Sequence, residues 1–312
     1  MRTLFAAVVL LAGFGPLAWA EPLDCSQVGS GAKWLVHVDF DALRAAKTAQ
    51  RVGEVLIRQE APKQQLEQIR QALGMDPTKD VQSVTFYGSK LKALSGVVLI
   101  RANVDRQRVL GFLKKLPGYD TSAHGDHALH TWTQDKGKPS EHRVTGCFHG
   151  PKLAVVGREE AEVTAALDVL DGKAAGMKKG DPLLADDVPA GTVVQAAAAG
   201  LAEGEGPFRS PVLRQSELIS LAIGEHESRV FVRGRVVAES PKVARQLRQV
   251  VEGFLAMATI SPPEHAPKEL RDILDAIKVT SEEKTVTVGW EASADVVLAL
   301  LEQAWKKQAK PK

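Results

Sequence analysis

The sequence predicts an α+β protein made of two related units, each a mixed or antiparallel sheet with helices packed on one face and together suggesting an internal duplication. Three observations predict it. Apolar runs of strand length alternate with segments whose apolar residues recur every three or four positions. Strand-like runs are joined by tight turns such as His149-Gly150-Pro151, which favour hairpins over the long crossovers of a parallel sheet. The same order of elements then begins again after residue 190.

The first twenty residues stand apart from this pattern. Met1-Arg2, an apolar run from Leu4 to Leu17 and Ala18-Trp19-Ala20 have the layout of a secretory signal peptide, with cleavage expected between Ala20 and Glu21. The run is too short to span a bilayer comfortably. Cys25 does not follow it directly but stands beyond Glu21-Pro22-Leu23-Asp24, so lipidation is not expected. No later apolar stretch is long enough to cross a membrane, and the cleaved chain is expected to be periplasmic or secreted.

The first unit is read over residues 21–172. Lys33–Phe40 forms a strand, and Asp41 is placed to cap a helix starting at Ala42. Leu66, Ile69, Ala72 and Leu73 share one helical face, with Gly74 as the stop. Val81–Tyr87 and Gly96–Asn103 read as strands, followed by a helix carrying Val109, Phe112, Leu113 and Leu116 and ended by Pro117. Ala128–Gln134 is a short strand, Arg143–His149 and Lys152–Gly157 form a hairpin, and Val163, Ala166, Leu167 and Leu170 line a final helix ending at Gly172. Residues 173–190, rich in Gly, Asp, Lys and Pro, read as a linker.

The second unit, 191–312, repeats the order. Thr192–Ala199 is a strand, and Glu217–Ile223 and Arg229–Val237 pair around Gly224-Glu225-His226. Ser240-Pro241 supplies an N-cap and first-turn proline for a helix whose buried face is expected to hold Leu247, Val250, Val251, Phe254 and Leu255. A helix after Pro267, strands at Lys278–Thr280 and Lys284–Trp290, and a last helix capped by Ser293 complete it, before a basic, frayed tail.

Composition narrows the function classes. The 312 residues carry 40 Lys and Arg against 38 Asp and Glu, and are 44% apolar and 25% charged, which excludes a wholly disordered chain and a multi-span membrane protein. A net charge of +2 removes the bulk electrostatic argument for nucleic acid. With 5% aromatics, a glycan platform or base-stacking surface is disfavoured. No G-x-S-x-G elbow, phosphate-binding loop, H-E-x-x-H helix, dinucleotide-binding turn or EF-hand loop is present.

The stretch Ala32-Lys33-Trp34-Leu35-Val36-His37-Val38-Asp39-Phe40-Asp41-Ala42-Leu43, soon after a signal peptide, resembles the opening of a family of uncharacterised bacterial exported proteins. The resemblance implies an exported compartment and a fold style. That family carries no established activity, so it assigns no catalytic residues.

Three groups of residues could carry chemistry. His124, His127 and His130, with Asp126 among them and His142 and His149 further on, have the ligand types of a zinc or copper site. Their spacing of three sends alternate rings to opposite faces of a strand, so a solvated loop leading into a strand is the expected role. His37, Asp39 and Asp41 share a strand face and could form an acid/base unit or a metal site, although capping and surface roles explain them more simply. Arg229, Arg233, Arg235, Arg245 and Arg248, with acids nearby, read as an ion-paired surface. Cys25 and Cys147 are expected to pair in an oxidising compartment. The expected function is a non-catalytic exported module binding a protein or envelope component, with no cofactor, nucleic acid or membrane span. The alternatives are a metal-binding protein using His124, His127 and His130, and a hydrolase using His37 and Asp39.

Overall fold

A computed structural model describes residues 22–57, 60–91, 96–184, 188–201, 213–260 and 268–308. The expected leader and its cut at Ala20 and Glu21 lie outside these residues. Twelve strands are described: β1 (Trp34–Asp39), β2 (Val81–Gly88), β3 (Val97–Ala102), β4 (Asp120–His124), β5 (His127–Gln134), β6 (His142–His149), β7 (Leu153–Gly157), β8 (Thr192–Ala199), β9 (Ser216–His226), β10 (Arg229–Ala238), β11 (Lys278–Glu282) and β12 (Thr285–Ser293). The helices among the described residues are α1 (Phe40–Ala45), α2 (Lys47–Ile57), α3 (Glu60–Leu73), α4 (Pro77–Asp80), α5 (Arg106–Leu113), α6 (Glu160–Leu170), α7 (Pro241–Ile260), α8 (Lys268–Asp275) and α9 (Ala294–Gln308). The fold is α+β, as the sequence predicts.

All strands join one antiparallel sheet in the order β11-β12-β10-β9-β8-β1-β2-β3-β7-β6-β5-β4. At its middle β1 pairs with β8, from Trp34 opposite Ala198 to Val38 opposite Val194. These are the first strands of the two runs read from the sequence. Outward from this seam, β1-β2-β3-β7-β6 on one side is matched by β8-β9-β10-β12-β11 on the other. The first side adds the hairpin β4–β5 at its edge.

The period of two in β1 feeds two cores. Leu35 enters a cluster with Tyr87, Val97, Leu99, Leu129 and Val155, covered by Val163, Ala166 and Leu167 of α6. Trp34 and Val38 turn the other way, onto Phe40, Val84, Phe86 and Leu66 of α3. Trp34 meets Phe86 edge to face with ring centroids 4.5 Å apart. In the other half, Ala244 and Leu247 of α7 cover Val236, Val279 and Val286. Val236 and Trp34 share a sheet face through the registers Val236–Ile219, Ile219–Ala198 and Ala198–Trp34, so α7 lies on the side of α3 and α6 on the opposite side.

Several local expectations are corrected. Asp39, not Asp41, caps α1, its carboxylate accepting from Ala42 N at 2.8 Å, because the chain leaves the strand one residue earlier than the apolar run suggests. In the segment read as a linker, the stretch 173–184 is docked on the rest of the fold. Met177 and Leu183 are buried in the α6 core, and Met177 N donates to Val28 O at 2.7 Å. The β9–β10 turn sits at Glu227-Ser228, both with positive φ, so Gly224 lies within the ladder. On α7 the inward residues are Val243, Ala244 and Leu247, whereas Val250 and Phe254 face outward. Strand β4 and helix α2 are additions to the sequence reading. Gly74, with φ +68°, ends α3 as expected.

Candidate functional site

The histidine group predicted from sequence is split by the sheet. His124 and His127 face each other across the β4–β5 hairpin, but their rings go to different acids. His124 Nε2 lies 2.8 Å from Asp168 Oδ1, while His127 Nε2 lies 2.9 and 3.1 Å from the two oxygens of Asp171. His130 goes elsewhere, its Nδ1 sharing a 2.9 Å hydrogen bond with the Tyr119 hydroxyl. Burial, helped by the positive charges of Lys114 and Arg106, makes His130 harder to protonate than a free imidazole. The three histidines therefore do not converge, since strand alternation and three separate partners, Asp168, Asp171 and Tyr119, hold them apart.

A different convergence takes their place. His149 Nε2 lies 3.2 Å from Asp171 Oδ1, and its ring centroid is 5.4 Å from that of His127. Lys173 Nζ reaches Asp171 Oδ2 at 2.8 Å. Asp171 follows the last turn of α6 and takes no part in its apolar face. Lys173 and then His127 hold its carboxyl well below the ordinary carboxylate range, and Asp171 in turn raises Lys173. Donor atoms of His127, His149 and Asp171 all lie within 4.8 Å of one another, the arrangement among the described residues that could hold a metal ion. His149 also borders an open cleft of about 710 Å³, lined by Asp24, Gln27, Arg101, Lys152 and Met177.

Sequence reasoning reached His127 but not Asp171, and left His149 outside the group. The readable signal was cross-strand rather than along one strand. In the β5–β6 ladder Gln134 opposes His142 and His130 opposes Gly146, and beyond that last pair the rings of His127 and His149 come within 5.4 Å of each other.

The second candidate pair is absorbed by the fold. His37 is buried in β1, its Nδ1 sharing a 2.9 Å hydrogen bond with Thr85 Oγ1 on β2. Asp39 is buried and occupied as the α1 cap. Burial, only partly offset by the Ala42 N–H, raises its pKa to about 6. Asp41 is ion-paired with Arg44. Among the arginines, Arg229 pairs with Glu291 and Arg248 with Glu252. Cys25 and Cys147 border the same core, yet both are free thiols, and the expected bridge is not formed. Burial pushes the Cys147 thiol up to about 11.

No protein family of known description matches the sequence, and no curated protein does. The fold is nonetheless shared. The crystal form III structure of TP0453 superposes with a TM-score of 0.50 over 91% of this chain and 99% of that one, at 9% sequence identity. Crystal form I of TP0453 gives 0.46 at 10% identity over 91% and 98% of the two chains. At such identity the likeness is one of architecture. Among the described residues, no helix is long and apolar enough to cross a membrane.

Proposed function

We propose that the chain is an exported, non-catalytic module that engages a protein partner in the cell envelope. The outward side of α7 carries this reading. Val250, Phe254 and Met257 follow one another at spacings of four and three and are 43, 66 and 63% exposed. Large apolar groups gathered on one side of a packed helix mark an interaction surface rather than scattered exposure. The same helix exposes Lys242 and Arg245 nearer its start. A partner presenting an apolar patch flanked by carboxylates is the complementary surface.

Two further features support the reading. His37 and Asp39, the best acid/base pair in the sequence, are held by a neighbouring threonine and a helix N-terminus. The leader and the Ala32–Leu43 opening support export.

The test is site-specific photocrosslinking in the native host, with the reactive group at position 254 and a control at exposed Asp120 on β4. A defined protein adduct is expected at 254 alone, lost when Lys242→Glu and Arg245→Glu are combined. Equal labelling at both positions, or an adduct indifferent to the charge reversal, overturns the docking surface. A mature N-terminus at Glu21 in the periplasmic or medium fraction is expected, and an uncleaved chain in the cytosol overturns export.

A further inference from the structure

We infer that His127, His149 and Asp171 form a binding site for a divalent transition-metal ion, zinc above all. The inference is independent of the docking surface on α7, which lies in the other half of the sheet.

The argument starts with placement. His127 opens β5 and His149 closes β6, so the two lie on neighbouring strands just beyond the last paired residues, His130 and Gly146. Each strand is tied down by its own hairpin, β5 to β4 and β6 to β7, and the two rings meet with centroids 5.4 Å apart. Asp171 reaches them from the C-terminal end of α6, in the αR conformation directly after its last turn. A carboxylate at that end opposes the helix dipole, which favours cations there. As helix chemistry alone the residue is misplaced. As the anionic member of a cation-binding group it is placed well.

The spacing suits a small ion. A tetrahedron with bonds of 2.0–2.1 Å, the range for zinc to imidazole nitrogen and carboxylate oxygen, has an edge of about 3.3 Å. Asp171 Oδ1 stands 2.9 Å from His127 Nε2 and 3.2 Å from His149 Nε2, close to that edge before any adjustment. Lys173 engages the other oxygen, Oδ2, which fixes the carboxylate and leaves Oδ1 for the ion. Two imidazoles and one carboxylate form a borderline donor set that suits zinc better than magnesium or calcium, which prefer all-oxygen shells. Three protein ligands leave a fourth position for water or an incoming group, and His149 borders the 710 Å³ cleft.

The experiment uses the mature chain without a polyhistidine tag, freed of metal by a chelator and titrated with zinc chloride by calorimetry. One zinc per chain is expected, at low-micromolar affinity or tighter. His127→Ala and His149→Ala should each weaken binding by roughly tenfold or more, since each removes a first-sphere ligand. His149→Gln, closer in volume, should do the same while circular dichroism stays unchanged. His124→Ala should leave binding intact, because His124 is bonded to Asp168 and not to this group. Cobalt(II) in place of zinc should give the intense visible absorption of a tetrahedral site. Absence of binding to the wild-type chain at 100-micromolar zinc overturns the inference (a concentration about a hundredfold above the affinity expected), as does binding unchanged in both His127→Ala and His149→Ala.

Discussion

Arg44 lies buried against the carboxylate of Asp41, three residues before it in α1, and its guanidinium also donates to Thr78 O at 3.1 Å and Val81 O at 2.9 Å. One side chain thus ties the helix after β1 to the segment that leads into β2. Replacement by Met keeps the length but leaves Asp41 as a buried charge and strips two carbonyls of a donor. Loss of one partner of a buried pair costs about 3–5 kcal/mol. Arg44→Met should lose that much in urea unfolding, and a loss below about 1 kcal/mol would show the pair to be solvated in solution.

Asp39 gives a pH prediction of definite sign. Its folded carboxyl titrates near 6, above the ordinary 3.8, so the native chain holds an extra proton between those values. Its contribution is fully present below the lower value and lost as pH rises through the upper one. Asp39→Asn keeps a capping oxygen and removes the charge. It should stabilise the protein at pH 7.5 by on the order of 2 kcal/mol and have no such effect at pH 4. Equal destabilisation at both pH values would contradict the buried-carboxylate account.

The thiols should differ in reactivity. Iodoacetamide at pH 8 should modify Cys25 in the native chain and Cys147 only after unfolding, because Cys147 is buried with its pKa near 11. Mass spectrometry should find one added group natively and two in urea. No added group in urea without reductant would show the bridge that the sequence suggests.

Two large side chains should respond oppositely to truncation. Leu167 in α6 is fully buried, and Leu167→Ala should cost about 2–5 kcal/mol. Phe254 in α7 is mostly exposed, so Phe254→Ala should change stability by no more than about 0.5 kcal/mol. A multi-kcal loss at Phe254, measured by denaturant melts, would mean that its ring is packed and not available to a partner.

Local chemistry was legible wherever one segment contains the whole signal. Ser240 and Ser293 cap their helices, with Val243 N and Val296 N donating to the two hydroxyls at 3.3 and 3.4 Å. The cap is not legible in the same way: Phe40 and Asp41 continue the alternation of β1 past its end at Asp39, which points to Asp41, two residues beyond the true cap. On α7 periodicity gives the apolar face of the helix but not how much of it the sheet covers, so the exposure of Val250 and Phe254 is not legible in the sequence. The His127–His149–Asp171 group needed the β5–β6 register and the endpoint of α6 together. Those are tertiary facts that no single window of sequence contains.

The β1–β8 seam has a consequence for the order in which the chain can assemble. β1 is complete by Asp39, yet the strand that covers its free side begins at Thr192. A chain that emerges N-terminus first must leave that edge bare until most of its length has appeared. Such an edge is a template for pairing with another copy. Fragments ending before Thr192 should therefore aggregate or recruit a holding chaperone. Supplying the missing half in trans should rescue them, with the two pieces meeting at Leu35 and Ala197.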